Sequence, residues 1–528
     1  MKVLVADNLA SCGTDILGRA PGIECVVKKG LSPEELKREI ADCDGLVIRS
    51  ATKVTADIIE AAKRLRVIGR AGIGLDNVDI PAASKRGIVV MNVPDGNVVT
   101  TAEHAISMML ALTRNIPQAT ASLKAGKWEK SKFKGREIYN KTLGIIGIGR
   151  IGRIVAERAL GLRMKVIAFD PYITEESVEK VGDIEMVGFD DLLARADFIT
   201  LHVPKTPETA NLLDAAAFAK MKPGVMVINC ARGGIIDEAA LLEAMKSGRV
   251  AGAALDVFAK EPPEGNPLLE MDRLICTPHL GASTDEAQEN VSRAIAEQVV
   301  AYLTTGAIRN AVNVPSLSAD VLSRMQPLLT LAERMGSFHA QMAKGALEQV
   351  AVDYLGEVAE LDCSPLTTAL LKGLLTPVLG DAVNFVNAPF LARERGIKVI
   401  EARSQTAADF TSLIVLKAKT TAEETLLAGT IFGRSEPRLV RLNSFRLEAA
   451  PEGHLLLIQN NDAPGVIGLI GTTLGRHGLN ISRMHVGQER HKGQNIVLLG
   501  TDTPISDEAL EELRALPPVV SALRLEMS

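Results

Sequence analysis

Three loops in the middle of the chain each carry one polar residue that could take part in acid–base chemistry or anion binding. Arg232 lies in INCARGGIID, Glu261 in LDVFAKEPP and His279 in ICTPHLGAST. A guanidinium holds a carboxylate through two hydrogen bonds, and an imidazole that titrates near neutrality can take a proton from a hydroxyl group. A carboxylate beside that imidazole orients it and raises its pKa. Removal of a hydride and a proton from a 2-hydroxy acid is one reaction that needs three such groups.

Each of these residues, taken alone, has an ordinary structural explanation. A lone histidine at a strand end is usually a hydrogen-bonded core or surface residue, and His202 in TLHVP illustrates that alternative. The combination favours chemistry because each loop follows a predicted strand. In open α/β sheets the carboxyl ends of the strands line one crevice, where residues far apart in sequence can meet.

A glycine-rich turn predicts the cofactor. Gly147-Ile148-Gly149-Arg150-Ile151-Gly152 follows an apolar strand and opens a helix, and Asp170 ends the next strand. In such turns the first glycine permits the tight bend, the second admits a pyrophosphate and the third lets helix pack on strand. The helix N-terminus favours the anion. Asp170 would accept hydrogen bonds from ribose hydroxyls and repel a 2′-phosphate, so NAD is favoured over NADP. A flavin or an adenylate in the same cradle remains an alternative.

The elements that must position these residues alternate between strand and helix. Residues 1–97 predict a parallel sheet covered on both faces. A helix is predicted over 98–114, with Thr100 or Thr101 as its N-cap. A second α/β unit starts at 141, and the helix predicted at 284–303 returns to the first sheet. We therefore expect a flavodoxin-like substrate-binding domain (1–97 and 285–314) with a Rossmann-like NAD-binding domain (98–284) inserted in it.

The remainder of the chain predicts two more domains. Residues 315–452 mix helical and strand patterns and are expected to form an α+β intervening domain. Residues 453–528 follow the order βαββαβ, which is ferredoxin-like.

Composition excludes several classes of function. At 528 residues the chain needs more than one hydrophobic core. A net charge of −5 argues against a nucleic-acid or anionic-membrane surface, and 3% aromatic residues argue against stacking of bases or sugars. We find no 18-residue apolar run and no signal-peptide pattern at MKVLVADNLA. Six cysteines without a CxxC pair predict a reducing, cytoplasmic location and no structural metal site.

Four segments carry a family resemblance over roughly residues 1–314. GIIGIGRIG, INCARGG, ALDVFAKEPP and TPHLGAST resemble the signature segments of the D-isomer-specific 2-hydroxyacid dehydrogenases. The resemblance implies that Arg232 anchors the substrate carboxylate and carbonyl, that Glu261 is the acidic partner and that His279 is the acid/base. It also implies that Asp256 holds the nicotinamide carboxamide. The residues implied to line the nicotinamide side are Cys230, Ala231, His279, Leu280, Gly281 and Ala282.

Two segments of the first domain concern the substrate. VIRSATKVT (47–55) and GRAGIGLDNVD (69–79) are similar to substrate-domain loops of the phosphoglycerate dehydrogenases within this family. Arg49 and Ser50, together with the backbone of Ala71, Gly72 and Ile73, would cradle a carboxylate or phosphate. A phosphate carries about two negative charges and needs a second cation. The candidates are Arg70 and, from a second subunit, Lys130 or Lys132.

The C-terminal segment resembles an amino-acid-sensing ACT domain over QNNDAPGVIGLIGTTLGRHGLNIS (459–482). By position, Asp462 would bind the ammonium of a ligand held between two paired copies of the domain, and Asn480 would bind its carboxylate. Asn460 would contribute to the same site. The alternative is that Asp462 only forms a turn. In the intervening segment, which resembles the family's intervening domain, the candidates for binding an anionic effector are Arg438, Arg441 and Arg446.

The combination of domains resembles the long form of the phosphoglycerate dehydrogenases. It implies NAD-dependent oxidation of 3-phospho-D-glycerate at the start of serine synthesis, with L-serine as effector and a homotetramer. The apolar second half of helix 98–114 also predicts a subunit interface. Two alternatives stay open: a glyoxylate/hydroxypyruvate or D-lactate dehydrogenase, and a regulatory protein that senses NAD.

Overall fold

The computed structural model describes residues 1–173, 182–315, 319–406, 409–489 and 493–527, which form four sheets. The first sheet is parallel. Its strands are β1 (Lys2–Val5), β2 (Glu24–Val27), β3 (Gly45–Ile48), β4 (Val67–Arg70) and β5 (Val89–Met91), and its helices are α1 (Ser11–Arg19), α2 (Pro33–Ile40), α3 (Ala56–Ala61) and α4 (Ile80–Lys85). The strand order β2-β1-β3-β4-β5 is that of flavodoxin-like folds, as predicted.

The second sheet is parallel and has seven strands, in an order typical of nucleotide-binding folds. Its order, β12-β11-β10-β9-β6-β7-β8, contains the Rossmann arrangement with one additional strand. The strands are β6 (Thr142–Ile146), β7 (Lys165–Phe169), β8 (Ile184–Met186), β9 (Phe198–Leu201), β10 (Val225–Asn229), β11 (Val250–Leu255) and β12 (Leu274–Cys276). The helices are α5 (Val98–Thr113), α6 (Ile116–Lys124), α7 (Arg150–Gly161), α8 (Phe189–Arg195), α9 (Ala215–Lys220) and α10 (Glu238–Lys246).

The long helix α11 (Asp285–Thr305) returns to the first sheet. Its buried residues Val291, Ile295 and Val299 belong to the same hydrophobic cluster as Val3 and Val67 of that sheet. Thr284 caps its N-terminus by accepting a hydrogen bond from the backbone N–H of Ala287, and Asp285 and Glu286 occupy its first turn. Helix α11 therefore packs on the first sheet although it follows the second sheet in the chain.

The third sheet has six strands and is mixed. Strands β13 (Leu347–Gly356) and β14 (Lys398–Ser404) pair in parallel, and the others pair antiparallel in the order β14-β13-β15-β16-β17-β18. The remaining elements of this part are α12 (Ala319–Met342), α13 (Ser364–Leu379), α14 (Ala388–Glu394), β15 (Ser412–Thr420), β16 (Glu424–Phe432), β17 (Glu436–Leu442) and β18 (Phe445–Ala449).

The fourth sheet has the predicted βαββαβ order and is buried on both faces. Its elements are β19 (Gly453–Asn461), α15 (Val466–Arg476), β20 (Ile481–Glu489), β21 (Gln494–Thr501), α16 (Asp507–Arg514) and β22 (Val519–Met527). Leu456 and Ile458 pack under α15 and α16, whereas their neighbours Leu455 and Leu457 belong to the core that contains α12 and α13. Because successive side chains of a strand face opposite sides, this sheet joins two cores.

The structure corrects two interpretations of helix α5. The helix starts at Val98 after Asn97, so neither Thr100 nor Thr101 is its N-cap. The hydroxyl of Thr101 instead lies within hydrogen-bond distance of the carbonyl oxygens of Asn97 and Gly281. In the second half of α5, Met108, Met109 and Leu112 are buried in the core of this chain, so at most the half-buried Leu110 and Ala111 remain for the predicted subunit interface.

Among the helices built from the described residues, none has the length and hydropathy that crossing a membrane requires.

Candidate active site

The turn between β6 and α7 requires glycine for a different reason at each of three positions. Gly147 has a φ of +93°, and a Cβ there would lie 2.6 Å from Cγ1 of Val203. A Cβ on Gly152 would lie 2.1 Å from the carbonyl oxygen of Gly147, so strand and helix touch there. A Cβ on Gly149, the N-cap of α7, would meet nothing within 4 Å. The open position at the N-terminus of α7 is where a pyrophosphate fits.

Asp170 is fixed beside this turn. One carboxylate oxygen accepts a hydrogen bond from the N–H of Ile148 at 3.1 Å, and the other accepts one from the N–H of Tyr172 at 3.0 Å. Each oxygen keeps a lone pair for a ribose hydroxyl. Arg150 forms an exposed ion pair with Asp95 at 2.8 Å, and Ile151 packs on the core below the turn. The residues present therefore fit the adenosine half of NAD.

Arg232, Glu261 and His279 follow the carboxyl ends of the adjacent parallel strands β10, β11 and β12. Nδ1 of His279 lies 2.8 Å from Oε2 of Glu261, while Oε1 of Glu261 accepts a hydrogen bond from the N–H of Phe258 at 3.2 Å. With Nδ1 occupied, the imidazole has Nε2 free for a substrate hydroxyl. His279 adopts a φ of +56°, a left-handed conformation that costs a non-glycine residue about 1–3 kcal/mol.

The three loops also contact one another. A Cβ on Gly233, next to Arg232, would lie 1.8 Å from the carbonyl oxygen of Phe258, and one on Gly281 would lie 3.9 Å from that of Cys230. Asn229 holds the first loop, since its Oδ1 accepts from the N–H of Ala231 and its Nδ2 donates to the carbonyl of Arg232. The structure thus brings the three polar side chains to one edge of the sheet.

Asp256 has more partners than the sequence indicated. It is 1% exposed, and its carboxylate accepts hydrogen bonds from the hydroxyl of Thr277 and from the N–H groups of Leu280 and Gly281. Burial favours a higher pKa for Asp256, but these hydrogen bonds and one from His104 outweigh it and lower the pKa. Asp256 is therefore ionised at neutral pH. Its oxygen Oδ2 accepts one hydrogen bond, from the N–H of Gly281, and keeps a lone pair for a further donor such as a carboxamide.

Cys230 is buried beneath these loops at 4% exposure, and burial raises the pKa of its thiol. The group therefore stays protonated and acts as a small apolar side chain. Ala231 and Ala282 are both half-buried, beside Arg232 and Gly281.

Three guanidinium groups converge on the crevice from both sheets. Nε of Arg232 lies 3.0 Å from Asp76, across the crevice, and a Cβ on Gly74 would lie 2.0 Å from Nη2 of the same arginine. Burial lowers the pKa of Arg70 to about 10, and the charge of Arg232, then that of Arg49, acts in the same direction against the opposing effect of Asp76. Asp7 also opposes the lowering. The three guanidinium groups thus face the two carboxylates of Asp76 and Asp7, and the excess of positive charge suits an anion.

The predicted substrate loops are held by side chains that the sequence did not single out. Asn77 donates to the carbonyls of Arg49 and Thr52 and accepts from Nε of Arg70 at 3.2 Å. Asp7 accepts from the N–H of Arg49 at 2.6 Å. Asn92 donates to the carbonyl of Ile73. Of the other predicted substrate residues, Ala71 is buried, Gly72 has a φ of +151° and Ser50 is exposed. These amides had no signal in the sequence, because their partners are backbone carbonyls.

The three candidate effector residues of the fourth sheet are not in one place within the chain. Asp462 lies before α15 and accepts from Nδ2 of Asn495 at 2.8 Å. Asn480 lies beyond the other end of α15, an 11-residue helix about 16 Å long, and donates to Asp502. Asn460 is 1% exposed and donates to the carbonyl of Asn461. A ligand contacting both Asp462 and Asn480 therefore needs a second copy of the domain.

The arginines proposed for an anionic effector have local partners. Arg438 pairs with Glu436 at 2.6 Å and Arg441 donates to the carbonyl of Asn443. Arg446 is the cross-strand neighbour of Arg441 and is largely exposed. Lys130 and Lys132 lie in an exposed 3₁₀ turn, Lys130–Phe133.

Comparison with known proteins identifies the family. The D-isomer-specific 2-hydroxyacid dehydrogenase NAD-binding domain matches residues 106–281, the D-3-phosphoglycerate dehydrogenase intervening domain matches 324–443, and the ACT domain matches 454–518. The D-3-phosphoglycerate dehydrogenase of Archaeoglobus fulgidus is 47% identical over the full length of both chains. That of Synechocystis sp. is 44% identical over 100% of this chain and 95% of the relative. The chain belongs to the D-3-phosphoglycerate dehydrogenase family.

Membership of the D-3-phosphoglycerate dehydrogenase family confirms the predicted resemblance and the NAD-dependent dehydrogenase class. Among solved structures, a D-lactate dehydrogenase from Aquifex aeolicus, complexed with NAD and lactic acid, superposes with a TM-score of 0.53 and 27% identity. It covers 60% of this chain and all of its own. The solved structure shows the fold of the first two sheets only. The choice between D-3-phosphoglycerate dehydrogenases and other hydroxyacid dehydrogenases therefore rests on the full-length relatives.

Proposed function

We propose that this chain oxidises 3-phospho-D-glycerate to 3-phosphohydroxypyruvate with NAD, the first step of L-serine biosynthesis. The observation that carries the substrate assignment is the group of Arg49, Arg70 and Arg232 around one crevice, next to the His279–Glu261 pair. The substrate has one carboxylate and a phosphate of about two negative charges, so it offers one anionic group to Arg232 and a second to Arg49 and Arg70. Full-length relatives named D-3-phosphoglycerate dehydrogenase support the same choice.

In this proposal each residue has a defined task. Arg232 binds the substrate carboxylate through its guanidinium, and Arg70 with Arg49 attracts the phosphate. Nε2 of His279 takes the proton of the C2 hydroxyl, and Glu261 at 2.8 Å from Nδ1 stabilises the imidazolium that results. NAD supplies the acceptor for the hydride that leaves C2. The C2–H and O–H bonds break, a C=O double bond forms, and the product is the 2-oxo acid.

The NAD site in this proposal uses the β6–α7 turn and the three loops. Gly147, Gly149 and Gly152 shape the pyrophosphate cradle, and Asp170 receives the ribose hydroxyls. Asp256 offers Oδ2 to the carboxamide. The division of the chain into residues 1–97 with 285–314, 98–284, 315–452 and 453–528 is part of the proposal and is supported by the four separate sheets.

The substrate is tested by steady-state reduction of 3-phosphohydroxypyruvate and of hydroxypyruvate with NADH. Loss of hydrogen bonds to a charged group costs about 1.5–3 kcal/mol each, so we expect kcat/KM to favour the phosphorylated acid on the order of 10²-fold. Pyruvate and glyoxylate serve as further controls. Equal turnover of hydroxypyruvate would point to a glyoxylate/hydroxypyruvate reductase. NADH binding without turnover of any 2-oxo acid would point to an NAD-sensing protein.

We further propose that L-serine is an effector bound between two paired ACT domains, in a cytoplasmic homotetramer. The positions of Asp462 and Asn480 at opposite ends of α15 support a site completed by a second copy, and six free cysteines support a reducing compartment. Millimolar L-serine should bind by calorimetry and lower turnover, whereas Asp462→Ala should abolish both effects without changing basal kcat. D-serine is the matched ligand control. Inhibition that persists in Asp462→Ala would remove this site.

A further inference from the structure

We infer that His104 of α5 is a positioning residue for this reaction: it holds the catalytic loop at His279 through Thr277 and Asp256. The inference rests on the proposed function. Nε2 of His104 lies 3.1 Å from Oγ1 of Thr277 and 3.3 Å from Oδ1 of Asp256. No sequence motif pointed to this histidine, since it lies 152 positions before Asp256 and still farther from Thr277.

The direction of each hydrogen bond follows from the number of available protons. The hydroxyl of Thr277 donates its one proton to Oδ1 of Asp256 at 2.6 Å, so Oγ1 can only accept from His104. Nε2 of His104 must therefore carry a proton, which assigns the tautomer from the network. Asp256 itself is ionised, because its hydrogen bonds lower its pKa in spite of burial. A charged acceptor makes this chain of hydrogen bonds stronger than a neutral one.

The same carboxylate fixes the backbone that follows His279. Oδ1 of Asp256 accepts from the N–H of Leu280 at 2.7 Å, and Oδ2 accepts from the N–H of Gly281 at 2.8 Å. The N–H of His279 donates to the carbonyl of Asp256 at 2.9 Å. These contacts surround the residue with the left-handed backbone, so the loop keeps its strained conformation only while Asp256 stays in place.

Three residues on one face of α5, at helical spacing, contact this loop. This pattern distinguishes His104 from a histidine that is merely packed in the core. Thr101 donates to the carbonyl of Gly281 at 3.0 Å, three residues before His104. Met108, four residues after it, has its sulfur 3.9 Å from Oγ1 of Thr277. Residues at i, i+3 and i+7 lie on one side of a helix. Because α5 begins just after the first sheet's domain, His104 connects the catalytic loop to the helix that joins the two domains.

The test compares His104→Leu with His104→Gln in the full chain. Leucine removes the donor, whereas glutamine retains an amide N–H. Misplacement of a catalytic group by about 1 Å can cost about 10²-fold, so we expect His104→Leu to lower kcat roughly 10²-fold with the Kd of NADH within about threefold of the unsubstituted chain. His104→Gln should recover most of kcat. Leu112→Ala, a buried change on the same helix away from the loop, is the stability control: it should lower Tm but not kcat.

A second measurement reads the loop directly and does not need turnover. The amide hydrogens of Leu280 and Gly281 should exchange with solvent roughly 10-fold faster in His104→Leu, and nearly normally in His104→Gln. Thr277→Val breaks the same link and should reproduce the faster exchange if His104→Leu does not fold. Unchanged exchange and kcat in His104→Leu, or equal damage by glutamine and leucine, would overturn the role of His104. An unsubstituted chain that fails to reduce phosphohydroxypyruvate would overturn the proposed function instead, since the exchange result is independent of it.

Discussion

Replacement of His279 by alanine is expected to lower turnover of 3-phosphohydroxypyruvate by roughly 10²–10⁴-fold, with little change in NADH binding. Glu261 holds Nδ1 of the His279 imidazole, which leaves Nε2 to act as the acid, so removal of this side chain removes the group that protonates the forming hydroxyl. Asp256, the residue proposed to hold the nicotinamide carboxamide, accepts hydrogen bonds from the backbone N–H groups of Leu280 and Gly281, and these bonds do not depend on the His279 side chain. Steady-state kinetics and fluorescence titration of NADH measure the two quantities separately.

Two further variants serve as controls for His279→Ala. His279→Asn removes the acid but suits the left-handed backbone, since asparagine tolerates that region better than alanine, so it separates chemistry from loop strain. In Glu261→Gln only one of the two side-chain atoms can still accept, whereas Glu261 accepts from both Phe258 and His279. We expect a smaller loss there than in His279→Ala. A collapse of NADH affinity together with turnover would make His279 a residue of cofactor binding or folding.

Replacement of Arg232 by lysine is expected to lower kcat/KM by roughly 10²–10³-fold. Loss of one partner of a hydrogen-bonded charge pair costs about 2–5 kcal/mol, and every 1.36 kcal/mol is tenfold. Lysine keeps the charge but has no planar fork, so it cannot bind a substrate carboxylate with two hydrogen bonds and also reach Asp76. Steady-state kinetics with both hydroxypyruvate and its phosphate ester measure the effect.

The comparison of the two 2-oxo acids makes the role of Arg232 specific. A carboxylate anchor serves both acids, so Arg232→Lys should lower kcat/KM for both by a similar factor, whereas Arg70→Gln should affect mainly the phosphorylated one. Asp76→Asn retains an acceptor for Nε of Arg232, and because the pair is partly exposed we expect a change within about fivefold. Full activity of Arg232→Lys toward either acid would remove the guanidinium from the proposed mechanism.

The parallel sheets and the catalytic loops were predictable because their signals are local. Each strand before a catalytic loop is a short apolar run, and the glycine turn must bend tightly at Gly147 and stay open at Gly149. The left-handed conformation of His279 and the ties to the loop from Thr101 and His104 were not predictable, because they depend on packing between distant segments. Asp76 reaches Arg232 across 156 positions of sequence and lies in the other sheet's domain.

Strands with weak periodicity were the other omission. The residues of β14, KVIEARS, are all exposed, so no alternation of buried and exposed positions marks it, and it lies at the edge of its sheet. Strands β17 and β18 were also absent from the sequence interpretation, although buried Phe445, Leu447 and Ala449 of β18 alternate with exposed charged residues. Their shared burial with α12 and with Leu455 and Leu457 depends on the neighbouring domain, which a local pattern does not contain.

Because both faces of the C-terminal sheet are buried, the ACT domain cannot be separated from the intervening part without exposing apolar side chains. Leu455, Leu498 and Leu525 lie in one continuous interior with Met335 and Phe338 of α12, and Gln341 exchanges two hydrogen bonds with the backbone of Glu526. A chain truncated after residue 452 would expose a hydrophobic patch on its intervening part and would therefore aggregate more readily. A fusion of the last 76 residues to another dehydrogenase would have to include α12 as well. The fourth sheet and α12 therefore form one packing unit.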